Sequence, residues 1–173
     1  ISGMSMLDLS QPLDQPKFQS FMYSIDGAQQ NAPSRRINTI YETNEGDILI
    51  GGHGIYKLTV ASNGDLYFKK NPTPEAVRNL SIQTIAENQF NQLLLGTSGG
   101  LFIQAKADNN DFVQIATETI NDILLDDSNH IWAGTDSGLI YFDSSPGLST
   151  PKLIDKFQYT PENPTSLSKN VIT

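Results

Sequence analysis

Few residues in this chain can do chemistry. It has two histidines, His53 and His130, and no cysteine, which removes thiolate nucleophiles, disulfides and zinc–thiolate sites together. Each histidine sits in or beside a turn, and neither has a neighbour at ligand spacing, whereas a metal site needs several convergent ligands. The run Asp126-Asp127-Ser128-Asn129 has the oxygen density of a calcium loop. Such loops gather about six to eight oxygens and end on a bidentate carboxylate, and the corresponding stretch Asn88-Gln89-Phe90-Asn91 could not supply the charge. A hairpin turn explains both stretches. Trp132 would suit a sugar-stacking platform, but its sister positions are Leu49 and Leu94, which makes it a core position where the ring buries area between packed layers. Gly51, Gly54, Gly96, Gly100, Gly134 and Gly138 are not followed by Lys-Ser/Thr and a helix, so they read as turn glycines and not as a phosphate cradle. No catalytic residue, metal ligand or cofactor is expected.

The elements that would position these residues emerge as a repeat. Ile37-Asn38-Thr39-Ile40, Ile82-Gln83-Thr84-Ile85 and Ile120-Asn121-Asp122-Ile123 each open a unit. In every unit 14 residues separate the first Ile from a glycine, Gly51, Gly96 or Gly134, and a second glycine follows 3, 4 and 4 residues on. The period varies, 45 and then 38 residues, so a constant core carries variable connections, as in repeat architectures. Gly3 to Asp8 matches the third part of a unit, and Asn170 to Thr173 matches the opening of another.

Within each unit, short apolar runs such as Ile48-Leu49-Ile50 and Ile131-Trp132-Ala133 are too short for helices and rich in strand formers. Polar turns separate them, and a fourth, more polar strand follows at Leu66 to Lys69, Phe112 to Ile115 and Leu153 to Tyr159. Four antiparallel strands per unit define an all-β chain, a segment of a β-propeller with four-stranded blades. A β-sandwich would not repeat Ile-x-x-Ile and Gly at constant offset. The expected division is the end of a preceding blade at 1–30, blades at 33–75, 78–116 and 117–160, and the first strand of a further blade at 168–173, all in one domain. Ile37, Ile40, Ile82, Ile85, Ile120 and Ile123 belong on the innermost strands, and Leu49, Leu94 and Trp132 in equivalent buried sites on the second strands. The propeller is expected to be incomplete, an open arc whose ends are covered by the rest of the propeller or by a second copy, and which self-associates when alone.

Eleven Lys+Arg against 19 Asp+Glu give a formal charge of −8, the wrong sign for a nucleic-acid partner. With 38% hydrophobic residues the chain can build a core. No run approaches the ~20 apolar residues of a membrane helix, and the start lacks the pattern of a signal peptide, so any export signal or anchor is expected outside these residues. In a propeller, inter-blade connectors and the turns between second and third strands open on one face. That face gathers Arg35, Arg36, His53, Arg78, Asn79, Asp136 and Lys169 as ligand-binding candidates, with Ser98, Ser137 and Asn170 beside them.

Phe157-Gln158-Tyr159-Thr160-Pro161-Glu162-Asn163-Pro164-Thr165-Ser166-Leu167-Ser168-Lys169-Asn170-Val171-Ile172 resembles the blade connector of the two-component regulator propeller repeat, and Asp126 to Gly138, with Ile-Trp-Ala-Gly-Thr-Asp-Ser-Gly-Leu, is similar to its core. The likeness covers about residues 33–173. It departs at Leu94, where Trp is usual, and most in the first unit, with Gly52 in place of Thr and a shortened turn at His53. The resemblance implies the periplasmic sensor region of a Bacteroides-type hybrid two-component system. Such sensors carry two propellers and an immunoglobulin-like domain outside the inner membrane, then a histidine kinase, receiver and DNA-binding domain inside, and respond to oligosaccharides. The expected role is a non-enzymatic sensing segment with an oligosaccharide ligand, reaching the membrane only through the parent chain. The alternatives are a dimerisation scaffold, or a propeller lyase or glycosidase. The last would need two carboxylates with separated pKa values or a base beside a charge-neutralising partner, whereas the acidic residues here sit mostly in repeat turns with polar equivalents in the sister units.

Overall fold

A computed structural model describes residues 3–10, 12, 14–22, 36–63, 66–71, 74–107, 110–145 and 150–173. Its strands are β1 (Gly3–Asp8) and β2 (Lys17–Met22); β3 (Thr39–Glu42), β4 (Ile48–Gly52), β5 (Gly54–Val60) and β6 (Leu66–Lys70); β7 (Ile82–Glu87), β8 (Leu93–Thr97), β9 (Gly100–Gln104) and β10 (Phe112–Ala116); β11 (Ile120–Leu125), β12 (Ile131–Thr135), β13 (Gly138–Asp143) and β14 (Lys152–Phe157). The first two form a two-stranded sheet, and the rest form three four-stranded antiparallel sheets in simple chain order. This is the open, all-β propeller segment expected from the repeat. A single 3₁₀ turn, Glu75–Val77, lies between the first and second blades.

The hairpin joining the first two strands of each blade has the same chemistry three times. Its opening side chain takes the place of a backbone acceptor: Thr43 Oγ1 accepts the Asp47 N–H at 3.0 Å, Asn88 Oδ1 those of Phe90 and Gln92 at 3.0 Å, and Asp126 Oδ1 those of Ser128 and His130 at 2.9 Å. Three residues on, the chain enters the left-handed region at Gly46 (φ 85°), Asn91 (φ 56°) and Asn129 (φ 62°). Glycine adopts that conformation freely and asparagine at lower cost than most residues, which suits these types to the position.

Successive blades meet through one contact. Gly51 lies against Ile82, Gly96 against Ile120, and Gly134 against Ile172, each so close that a Cβ would overlap the isoleucine Cγ2. An asparagine clamps the next strand alongside: Asn38 Nδ2 donates to the Ile82 carbonyl at 2.8 Å, and Asn121 Nδ2 to that of Ile172 at 2.9 Å. Ile172 N–H also donates to Thr135 O at 3.0 Å. The first strands β3, β7 and β11 contact one another in turn, as inner strands should. Around these contacts Leu49, Ile55, Ile82, Ile85, Leu95 and Phe102 fill the first interface. Leu94, Leu101, Ile103, Ile120, Ile123, Ile131, Ile140 and Phe142 fill the second. On the other side of the first blade, Met4 and Met6 of β1 pack with Ile37 against Ile50 and Phe68, so the leading pair of strands sits as part of a preceding layer.

Two expectations are corrected. Ile37 lies two residues before β3, although Asn38 N–H still donates to Gly51 O at 3.0 Å. The other blades shift register at the same place, between Ile82 and Thr84 and between Ile120 and Asp122, so the ladder is interrupted there in every unit. Ile40, Ile82, Ile85, Ile120 and Ile123 do lie on the first strands, as expected, with Ile40 57% exposed because it faces away from the interface that buries Ile82 and Ile85. Trp132 is only half-buried, whereas Leu49 and Leu94 are buried. The latter two lie in the clusters between one blade and the next, whereas Trp132 lies on the outer face of the third blade against Tyr141.

Candidate functional site

The turns between second and third strands and the inter-blade connectors come together at one end of the blades. Ser98 N–H donates to Ser81 O at 2.9 Å, Thr119 Oγ1 to Ser98 O at 3.2 Å, and Gln158 Nε2 to Ser137 O at 2.8 Å. Buried threonines shape two of the turns. Thr97 Oγ1 accepts the Gly99 N–H at 3.1 Å and donates to Gly100 O at 2.9 Å; Thr135 Oγ1 does the same with Ser137 at 2.9 Å and Gly138 at 2.8 Å. Gly52 replaces this threonine in the first blade, and its shorter turn presents His53 to solvent.

Of the residues assigned to this end from sequence, Arg35 lies outside the described residues. Arg36, His53, Arg78, Asn79, Asp136 and Lys169 are all exposed. Arg78 pairs with Glu75, and Asp136 Oδ1 accepts from Asn121 Nδ2 at 2.9 Å, which joins it to the clamp on Ile172. Asn170 Oδ1 accepts the Tyr159 N–H at 2.6 Å. Arg78, Asp136 and Asn170 are therefore already engaged by the protein itself.

A denser cluster stands at the opposite end of the third blade, and the sequence reading, which took Asp126 to be only a turn residue, missed it. Asp126 Oδ2 accepts from Trp132 Nε1 at 3.1 Å and lies 3.0 Å from His130 Nδ1. The Trp132 ring stacks on Tyr141 (4.0 Å, 23°) and beyond it lies roughly parallel to Phe157 (6.1 Å, 21°), while His130 meets Tyr141 edge-on at 5.2 Å. The signal was present as Asp126, His130 and Trp132 at steps of four and two, which a tight turn folds onto one side. Partial burial pushes the Asp126 carboxyl up, but the Trp132 indole and the His130 and Ser128 donors outweigh it and bring it down to about 2 from an ordinary 3.8. A carboxylate held below its unfolded value stabilises the fold above that value and loses the contribution as pH falls through the folded one. Asp126→Asn should therefore lower the urea midpoint at pH 6, with the gap to the parent narrowing from pH 4 to pH 2. A gap that stays constant with pH would show that the charge has no part in it.

A cleft of about 400 Å³ opens between the first and second blades, on the side of their first hairpins, with Asp47, Lys57, Glu87, Asn91 and Gln104 among its walls. Neither this cleft nor the aromatic cluster involves the residues singled out from sequence at the connector end.

No protein-family model matches the chain, and no curated protein does. Solved structures do share its architecture. Two are of the extracellular domain of BT4673 from B. thetaiotaomicron, described in one case as a hybrid two-component system and in the other as a one-component system. Each aligns over 90% of this chain with a TM-score of 0.68 and 25% identity. The extracellular domain of the hybrid two-component system BT3049 from the same organism aligns over 90% of this chain with a TM-score of 0.61 and 18% identity, a likeness of fold alone. The chain spans about 20% of the length of each. These are extracellular regions of the receptor class that the connector and repeat residues resemble, in agreement with the periplasmic placement expected from sequence. No helix among the described residues is long and apolar enough to cross a membrane.

Proposed function

We propose that this chain is a segment of the periplasmic sensor region of a hybrid two-component receptor and takes part in detecting oligosaccharides released from polysaccharides. The observation that carries this reading is the structural likeness, over 90% of the chain, to the extracellular domain of BT4673. The segment itself is non-enzymatic, and histidine-kinase activity belongs to the parent polypeptide. Packed blades act as rigid blocks, so signalling requires a ligand that binds one arrangement of the blocks better than another, since only differential affinity shifts an equilibrium. Titration of the complete polypeptide with oligosaccharides from plant and host polysaccharides should give saturable binding without bond cleavage. Cleavage of any of them would replace the sensor with an enzyme.

A second reading, a dimerisation scaffold, draws on the outer face of the third blade. There Leu124 is 64% exposed, Tyr159 46% and Phe157 38%, beside the half-buried Trp132. Contiguous apolar area of this kind marks an interaction surface. In light scattering, the 173-residue chain should self-associate with rising concentration, and Leu124→Lys should weaken the association. A stable monomer at high concentration would remove the scaffold reading and leave the sensor reading in place.

A further inference from the structure

The two blade interfaces can be compared position by position, and they differ in their outer halves. In the second interface Ile103 on one wall faces Phe142 and Ile131 on the other, all three buried in one apolar cluster. The equivalent positions of the first interface are Lys57, Gln104 and Leu93. Lys57 pairs with Asp47 of its own blade, and Gln104 is held in place by accepting the Leu93 N–H at 3.0 Å. With a lysine and an amide in place of an isoleucine and a phenylalanine, the blades do not close on each other, and the 400 Å³ cleft is the result. Loss of apolar packing costs stability, so selection for stability alone would favour the sister residues.

Cross-blade bonds fix the width of the cleft at its hairpin end. Asn44 N–H donates to Glu87 Oε2 at 2.7 Å, and Asn44 Nδ2 to Asn91 Oδ1 at 3.2 Å. Leu49 and Leu93 give it an apolar base. Among the described residues its walls carry the carboxylates of Glu45, Asp47 and Glu87 against the ammonium of Lys57, a balance that repels anions. Carboxylates accept from hydroxyl groups, while amides both donate and accept. Together with an aliphatic base they suit a neutral ligand with many hydroxyls, in a concavity within the size range of small-molecule sites.

We propose that the cleft between the first and second blades is the binding site for a neutral saccharide, held between the Lys57–Asp47 wall and the Glu87, Asn91 and Gln104 wall. The choice of a saccharide rests on the sensor reading; the location and the neutrality rest on the cleft. A ligand seated there touches both blades, so its occupancy bears directly on how they are set relative to each other.

The test is calorimetric titration of the complete polypeptide with cellobiose, lactose and mannobiose, and with a glucuronate-containing and a sulfated disaccharide as the anionic arm. At least one neutral disaccharide should bind and neither anionic one should. Lys57→Ile with Gln104→Phe installs the sister residues and should weaken neutral binding at least tenfold while the unfolding midpoint stays level or rises. Should that pair fail to fold, Lys57→Met alone should still weaken binding severalfold. Neutral binding unchanged in a folded variant would overturn the cleft and leave the sensor reading standing. Binding of anionic disaccharides only would overturn the neutral assignment and again leave the sensor. No binding by any of the five would overturn this assignment and the saccharide reading with it.

Discussion

Gly96→Ala should destabilise the protein by about 1–3 kcal/mol, the range for overpacking a filled core, and should do so more than the same change at Gly134. A Cβ at Gly96 would lie 2.5 Å from Thr84 Cγ2 and 2.7 Å from Ile120 Cγ2. Neither neighbour can give way. Thr84 is buried in the adjoining strand of the same blade, and Ile120 is wholly buried in the core between the second and third blades. At Gly134 the Cβ would meet Ile172 Cγ2 at 2.8 Å, but Ile172 is only half-buried and can move outward. Gly51, with Thr39 at 2.6 Å and Ile82 at 2.8 Å, should resemble Gly96. Urea denaturation of the three alanine variants gives the ranking directly. Equal midpoints for all three would mean that blades do not bear on one another through these glycines.

Leu94→Ala should cost between about 2 and 5 kcal/mol, the span measured for large-to-small changes in packed cores, and more than Trp132→Ala despite the larger ring. Leu94 is wholly buried between the second and third blades, so truncation leaves a cavity walled by strands that cannot collapse into it. Trp132, at the equivalent position, lies on the open face with its ring against Tyr141 and its N–H on Asp126. Its removal forfeits a stacking contact and one hydrogen bond, and water fills the space. Denaturation at low protein concentration is the appropriate measurement. A larger loss for Trp132→Ala than for Leu94→Ala would show that the aromatic face is covered in solution.

Most of the architecture was legible in the sequence because spacing reports it. The constant interval from Ile37 to Gly51, Ile82 to Gly96 and Ile120 to Gly134 records a first strand, a hairpin and a second strand of fixed length. Turn chemistry was equally readable, since Gly46, Asn91 and Asn129 occupy the one place in the hairpin that demands a left-handed backbone. Even the contact of Ile172 on Gly134 follows from treating residues 170–173 as another opening.

Burial was read less well, because it depends on what lies across a face. Leu49, Leu94 and Trp132 are interchangeable along the chain, yet a neighbouring blade covers only the first two. The connector end drew attention because its loops are polar and varied, although Arg78 and Asp136 there are engaged with Glu75 and Asn121.

The blades follow from residue order alone: strand lengths, hairpin types and the glycine–isoleucine contact are local or recur at a constant offset within each unit, and such spacing survives in one dimension. Which side chains oppose one another depends instead on how the sheets stack. Lys57 and Gln104 belong to different blades, and either looks like an ordinary polar substitution in its own repeat. They matter as a pair because the stacking of one sheet on the next brings both onto the walls of a single cleft. Packing between sheets is a relation between faces, and a repeat pattern read along one chain carries the faces without saying which of them meet.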